Sequence, residues 1–314
     1  MADHAGTLGD APLISVIIAT RDRPDDLARC LASVLACDHD SFEVIVVDQS
    51  EPPSPLPADS RVIHIPTHTH GKSAALNLAI PYARANLIAF TDDDCTVPPD
   101  WLRRIEELFA RHPDVAMAFG QLQPMPHDMS QVFVPFVEVE RFRIIRASRL
   151  AHVRGGGGAN MAARRSMFDA IGGYDEQIGP GSRFRACEEY DMYYRALAGG
   201  QAVAFAPEIT TTHWGARPWA DGSGKSLLRS YAYGEGAVMG KHLRLHDRHM
   251  ALVAARITAH DLRLVIAALP HWRTYSGLGQ LAYKWRGLAD GVMAPVDRRR
   301  HVFVGPCERE PVGH

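Results

Sequence analysis

The sequence predicts an α/β fold, a mostly parallel sheet flanked by helices and followed by a helical C-terminal extension. Three observations carry that expectation. Short apolar, β-branched runs alternate with stretches of helical spacing, several of those runs end in polar or acidic residues, and the pattern beyond His213 turns helical. Strands alternating with helices pair in parallel through right-handed crossovers, and ligands of such sheets bind at the carboxyl ends of the strands.

Residues 13–20 (LISVIIAT) form an unbroken β-branched run, as expected of a strand buried on both faces. The loop Arg21-Asp22-Arg23-Pro24 leads into a helix over 25–35, where Leu27, Leu31 and Leu35 recur at helical spacing behind an Asp cap. Residues 42–48 (FEVIVVD) repeat the strand signal, and 61–66 (RVIHIP) repeat it more weakly after a Pro-rich turn. Residues 71–85 read as helix apart from Pro81, and 87–91 (LIAFT) as a strand running into Asp92, Asp93 and Asp94. A helix over 101–111 and a strand over 115–121 follow, whereas 125–150 shows no clear pattern. The run Gly155-Gly156-Gly157-Gly158-Ala159-Asn160 permits tight backbone geometry, and 166–171 opens a short helix ending at Gly172-Gly173. Residues 188–197 read as helix and 202–205 as a strand before Pro207. After His213 only helices are expected, which divides the chain into residues 1–220 and a mainly helical 221–314.

Composition narrows the function classes. Of 314 residues 46% are hydrophobic and 22% charged, which excludes disordered and fibrous chains. A net charge of -2 gives no bulk attraction to nucleic acid, so no nucleic-acid partner is expected. Five scattered cysteines without metal spacing read as reduced thiols. No signal-peptide pattern is visible near the start, and apolar windows break before the about 18 residues of a spanning helix. A cytoplasmic protein is expected.

Several polar residues fall at strand ends, where they converge on one crevice. Asp92, Asp93 and Asp94 repel one another unless solvent or a cation offsets their charge. As hard oxygen ligands they suit Mg²⁺ or Mn²⁺ bridging a diphosphate, and equally they suit a solvated acidic turn. Asp48 can accept hydrogen bonds from a base or ribose, or simply shape its turn. Arg21, Arg23 and Lys72 can neutralise phosphates, or be surface charge. Glu188, Glu189 and Asp191 crowd the start of a helix, where the dipole favours acids, and one of them in an enclosed site can act as a general base. His213 can complete an Asp/Asp/His metal shell or be a structural histidine.

Taken in order from Leu13 to Trp214, these segments resemble the family 2 glycosyltransferases, inverting enzymes of the GT-A fold. The similar stretches are SVIIATRDRPDDLARCLASVL, VIVVDQS, HGKSAALNLAI, AFTDDDCTVPPDWL, GGGGANMAARRSMFDAIGGYDE, CEEYDMYYRALAGG and ITTTHW. The resemblance implies a nucleoside-diphosphate sugar donor, most commonly UDP-linked, and a divalent cation. It implies that Thr20, Arg21 and Asp48 line the nucleoside pocket and that Gly71, Lys72 and Asn77 lie along the nucleotide. Asp92 to Asp94 match the DxD motif, with Asp94 the principal metal ligand, Asp92 beside it, and His213 the late histidine that joins the metal shell in some members. Glu189 falls at the position of the catalytic base. Most relatives carry Asp there, and the longer Glu leaves Glu188 and Asp191 as alternatives. Asn160 and Trp214 are expected to border the acceptor, which is a glycan, a lipid-linked molecule or a small molecule. The chain lacks the QxxRW signature and spanning helices of processive synthases, which implies transfer without processivity.

The tail sets apolar residues among Arg, Lys, His and aromatics, as in SLLRSYAYGEGAVMGKHLRLH. Such a pattern over 225–290 fits a basic amphipathic face on the inner surface of the cytoplasmic membrane, a helical cap over the cleft, or a homodimer contact. Two rival readings remain. A nucleotidyltransferase would carry a Gly/Arg/Lys-rich triphosphate loop, which ATRDRP is not. A non-catalytic sugar-nucleotide binder of the same fold is opposed by the joint presence of DDD, EExD and His213.

Overall fold

A computed structural model of the protein describes residues 12–151, 156–267 and 277–305. Gly155 and the last of the five cysteines, Cys307, lie outside them, as do 268–276 within the tail. Strand β1, Ile14–Thr20, is buried along almost its whole length, as its β-branched run requires. Helix α1, Pro24–Leu35, opens with proline and two acids in its first turn and buries Leu27, Cys30, Leu31 and Val34. Strand β2, Phe42–Asp48, is buried throughout, while β3, Val62–Pro66, is half-buried at the sheet edge. Helix α2, Lys72–Ala79, stops short of Pro81, which cannot continue it, and a 3₁₀ turn over Ile80–Tyr82 leads to β4, Leu87–Asp92. A two-residue strand β5, Cys95–Thr96, precedes α3, Trp101–Arg111, whose buried stripe is Trp101, Leu102, Ile105, Leu108 and Phe109.

The next strands are β6, Val115–Pro124, and the short β7, Val132–Phe133, and β8, Arg143–Ile145; then come β9, Met161–Arg164, and α4, Arg165–Ile171. Helix α5 is Glu188–Ala198 and β10 is Ala202–His213, followed by β11, Arg217–Pro218. Helices α6, Ser223–Arg244, α7, Arg248–Ala267, and α8, Gly277–Met293, precede a small hairpin of β12, Val296–Asp297, and β13, Val302–Phe303. The main sheet runs β3-β2-β1-β4-β9-β6-β10-β5, with β8 beside β10. β1 is parallel to β2 and β4, and β6 to β10, while β9 runs antiparallel between β4 and β6. Each sheet face carries its own core: α1 and α3 cover one with Leu27, Leu31, Trp101 and Phe109, and α2, α5 and α7 cover the other with Leu76, Met192, Tyr194 and Ile257.

Three differences from the sequence reading have physical causes. β10 extends to His213 instead of ending before Pro207, because a register shift between Ala206 and Thr210 absorbs the proline and lets the β-branched TTT continue the pairing. β9 has no branched residue, so its strand state comes from its two neighbours, not from propensity. The C-terminal third holds short strands besides its helices.

In that third, α6 and α8 touch backbone to backbone. A methyl group on Gly236 would stand 2.0 Å from the Lys284 carbonyl oxygen, one on Gly287 would stand 2.0 Å from that of Tyr233, and Gly240 and Gly291 face the partner helix in the same way.

Candidate active site

The carboxyl ends of β1, β4 and β10 meet at one place. Thr20, last in β1, donates its hydroxyl to Asp93 Oδ2 at 2.8 Å, and Arg23 Nη1 lies 3.2 Å from both Asp93 Oδ1 and Asp94 Oδ2. Burial pushes Asp93 up to about 6, with the neighbouring Asp94 adding to it against the pull of Arg23. Across the turn His213 ends β10 with Nε2 3.5 Å from Asp94 Oδ1. Glycine is required next door, since a methyl on Gly215 would stand 2.4 Å from Asp94 Oδ2.

From the other side come α2 and α5. Gly71 takes a positive φ of 88°, and a methyl there would meet Ser182 Oγ at 2.7 Å, so only glycine delivers Lys72 at this angle. Lys72 Nζ reaches Asp92 Oδ1 at 2.5 Å and Glu188 Oε1 at 3.2 Å. Burial works against its charge, but the two carboxylates outweigh it and hold the ammonium well above its usual range. Glu189 faces the same cleft. Its enclosure, with Glu188 beside it, pushes its carboxyl up to about 8.

Of these residues, Lys72, Asp92, Glu188, Glu189 and His213 line a cleft of about 600 Å³. The rest of its lining is largely apolar and aromatic, with Phe133, Phe136 and Val137 from the 125–150 segment and Tyr193 from α5. Tyr231 and Glu235 of α6 complete it. The hydroxyl of Tyr193 is buried at this wall without a hydrogen-bond partner among the described residues.

Residues 15–172, the span that supplies Thr20, Lys72 and the three aspartates, match the sequence profile described as Glycosyl transferase family 2. The chain belongs to that family. This family 2 glycosyltransferase chain is 26% identical over 180 residues to the Glucosyl-dolichyl phosphate glucuronosyltransferase of Haloferax volcanii, an alignment covering 53% of the chain and 57% of that relative. It thus spans little more than half the length of that protein. The solved Mannosyltransferase PcManGT from Pyrobaculum calidifontis, in complex with GDP-Man and Mn²⁺, superposes with a TM-score of 0.56 at 16% identity, covering 90% of this chain and 88% of that one. S. aureus TarS 1-349 in complex with UDP-GlcNAc gives a TM-score of 0.56 at 13% identity, covering 89% and 82%. The fold is the GT-A fold of these glycosyltransferases.

Within the family 2 chain, several residues singled out from sequence stand apart from the cleft. Asp191 points the other way along α5, fully buried between Lys241 Nζ at 2.5 Å, Arg195 Nε at 2.9 Å and His242 Nε2 at 3.2 Å. Burial alone would raise its carboxyl, but Lys241 and Arg195 hold it far below the usual range. It is thus a buried counter-ion rather than a base. Asn160 is also spent on structure: its Oδ1 accepts from Trp101 Nε1, and its Nδ2 donates to the carbonyls of Gln121 and Ile209 across the β10 irregularity. Asn77 exchanges hydrogen bonds with the backbone of Tyr174 and ties α2 to that loop instead of facing the cleft. Trp214 turns outward under Arg29, its Nε1 donating to Thr96 Oγ1. Arg21 is exposed beside Asp22. Asp48 is buried at the end of β2; burial raises its carboxyl, but donors from Ser50, Ser54 and His64 prevail and hold it low while shaping its loop.

The donor set fits a hard divalent cation. Ligand atoms of Asp94, Cys95 and His213 lie within 4.8 Å of one another, with Asp92 on the cleft wall. Burial pushes Cys95 well up, so it stays a thiol and the carboxylates are the ligands of choice. His213 Nδ1 accepts the Gly215 N–H at 3.0 Å, which leaves the ring proton on Nε2 toward Asp94. Ligation through Nε2 therefore requires Gly215 to release the ring.

Tyr193, Tyr231 and Glu235 went unnoticed in the sequence. Tyr193 was legible as the residue one helical turn beyond Glu189; the α6 pair had no local signal, since tertiary packing alone brings that helix to the cleft.

Proposed function

We propose that the protein transfers a glycosyl group from a nucleoside-diphosphate sugar to an acceptor hydroxyl with inversion, one sugar at a time. The observation that carries this reading is the meeting of Asp92, Lys72, Glu188, Glu189 and His213 in one cleft beside Asp94. Thr20 and Arg23 hold the aspartate turn in place, with Arg23 and Lys72 supplying positive charge beside the donor's phosphates. A divalent cation, Mn²⁺ or Mg²⁺, held by Asp94 and Asp92 with His213 beside them, would offset the charge of the departing diphosphate. Glu189 accepts the proton of the acceptor hydroxyl as that oxygen bonds to the anomeric carbon and the bond to the diphosphate breaks on the opposite face. A carboxyl raised to about 8 is a stronger base than an ordinary one and suits that task. Residues 1–220 carry the reaction, and 221–314 add Tyr231 and Glu235 to the acceptor side.

The donor is taken to be a UDP-sugar, with GDP- and dTDP-sugars as competitors. Calorimetric titration with UDP, GDP and dTDP, with and without Mn²⁺, tests the reading against an Asp94→Ala variant. Metal-dependent binding of one nucleotide, lost in the variant, is expected; no binding of any nucleotide under either condition would sink it.

A further inference from the structure

Helix α7 packs into the core through Met250, Val253, Ala254, Ile257 and Val265. Its opposite side is apolar as well. Leu252, Ala255, Ala259, Leu262 and Ile266 recur at three- and four-residue intervals, which places them in one stripe, and all are exposed, Leu252 by 50% and Ile266 by 56%. Beside that stripe stand Arg256, His260 and Arg263, exposed at the same spacing. Helix α8 repeats the arrangement: Leu278, Ala282, Trp285, Ala289 and Met293 form an exposed stripe with Arg286 at its border. Large residues in such an array make an apolar surface that an isolated soluble domain seldom leaves bare. No helix among the described residues is long and apolar enough to cross a membrane.

We infer that the exposed faces of α7 and α8 dock in the interface of an anionic phospholipid bilayer. Charge complementarity selects this occupant over a second copy of the chain. The one carboxylate of α7, Asp261, pairs with Lys284, while the one of α8, Asp290, accepts from Tyr233 Oη at 2.8 Å and lies 3.8 Å from Arg286 Nε. The border of the α7 stripe therefore carries Arg256, His260 and Arg263 with the one carboxylate of that helix paired to Lys284, and two copies meeting on this surface would oppose Arg to Arg. An anionic headgroup layer meets the same border favourably while Leu, Ile and Trp side chains enter the acyl boundary. The surface also adjoins the cleft. Lys284 joins Asp261 of α7 to Glu235 of the cleft wall, at 2.8 Å from the latter, and Leu262 and Trp285 each follow one residue behind a member of that ion cluster. Its consequence, that the acceptor is lipid-linked and offered at the bilayer, rests on the glycosyl-transfer reading; the docking does not.

The full chain is sedimented with phosphatidylcholine vesicles and with vesicles that also contain phosphatidylglycerol. Binding to the anionic vesicles, weakened by salt, is expected. Leu262→Glu combined with Trp285→Glu should lower it more than about tenfold, and Arg263→Glu by more than about fivefold. Thermal melting and nucleotide binding by calorimetry should be unchanged in both variants, because these side chains are exposed, so a failed donor site and a failed docking surface are told apart. The inference is overturned if wild type ignores anionic vesicles. It is equally overturned if the wild type dimerises in sedimentation and the Leu262/Trp285 variant abolishes the dimer while vesicle binding stays absent.

Discussion

Along α5, Glu189 and Tyr193 look into the cleft, while Asp191 and Arg195 look toward α6. Both faces bury ionisable groups, but they resolve the cost of burial in opposite ways. On the far face Asp191 is surrounded by Lys241, Arg195 and His242, so its charge is compensated and its carboxyl is held low. On the cleft face Glu189 has Glu188 as a neighbour, and Lys72 is already shared between Asp92 and Glu188. A helix that must be stable and also carry the proposed base keeps its compensated charges on one side and its frustrated ones on the other. Asp191 marks the structural face.

The largest effect should come from neutralising the cleft face. Glu189→Gln is expected to lower turnover about 10²- to 10⁴-fold while leaving calorimetric nucleotide binding intact. It should also raise stability at pH 7: a carboxyl whose folded pKa lies above its unfolded value costs stability once pH exceeds about 4.3, and that cost grows until about 8. A variant that lost stability instead would break the comparison. Next is the far face, where Lys241→Met strips a buried cation from Asp175 and Asp191 and should destabilise by about 3–5 kcal/mol in urea titration; a change under about 1 kcal/mol would show those charges are solvated.

The two faces also predict different pH profiles. Wild-type kcat/KM should climb as pH rises through about 8, about tenfold per unit below it. Stability from Asp191, whose folded pKa is depressed, should be complete above about 4 and fade as pH falls further. Asp191→Asn should flatten that acid limb in melting experiments and leave the alkaline limb of activity in place. The smallest effect is expected from Tyr193→Phe: acceptor KM should rise several-fold, about 1 kcal/mol, with stability unchanged or slightly higher, because the lost hydroxyl has no partner among the described residues. Unaltered KM would assign Tyr193 to packing.

The sequence could announce whatever is written locally. β1 and β2 are β-branched runs in which nearly every residue is buried, β4 is an apolar run buried along its middle, and the aspartates sit at a strand end because the strand ends there. What it could not announce depends on distant partners. Asp191 and Glu189 lie two residues apart with similar chemistry, and only the arrival of Lys241 from α6 separates their roles. Asn160 follows a glycine run that suggested a loop near substrate, yet its amide is consumed by Trp101 and by carbonyls freed at the irregular stretch of β10. β9 is a strand by its neighbours' doing. Such outcomes are set by three-dimensional satisfaction of polar groups, which no window of sequence contains.

The contact between α6 and α8 has a consequence for how the cleft wall can change. Because Gly236, Gly240, Gly287 and Gly291 let the two backbones meet directly, the separation of these helices is fixed by main-chain atoms and not by interlocking side chains. Tyr231 therefore stands on a frame set by main-chain contacts, while Glu235 also ties α6 to α8 through its ion pair with Lys284. Substitution of Tyr231 can reshape the cleft wall without shifting the helices, whereas replacing Glu235 strips Lys284 of a carboxylate and any side chain added at the glycines would force the frame itself apart.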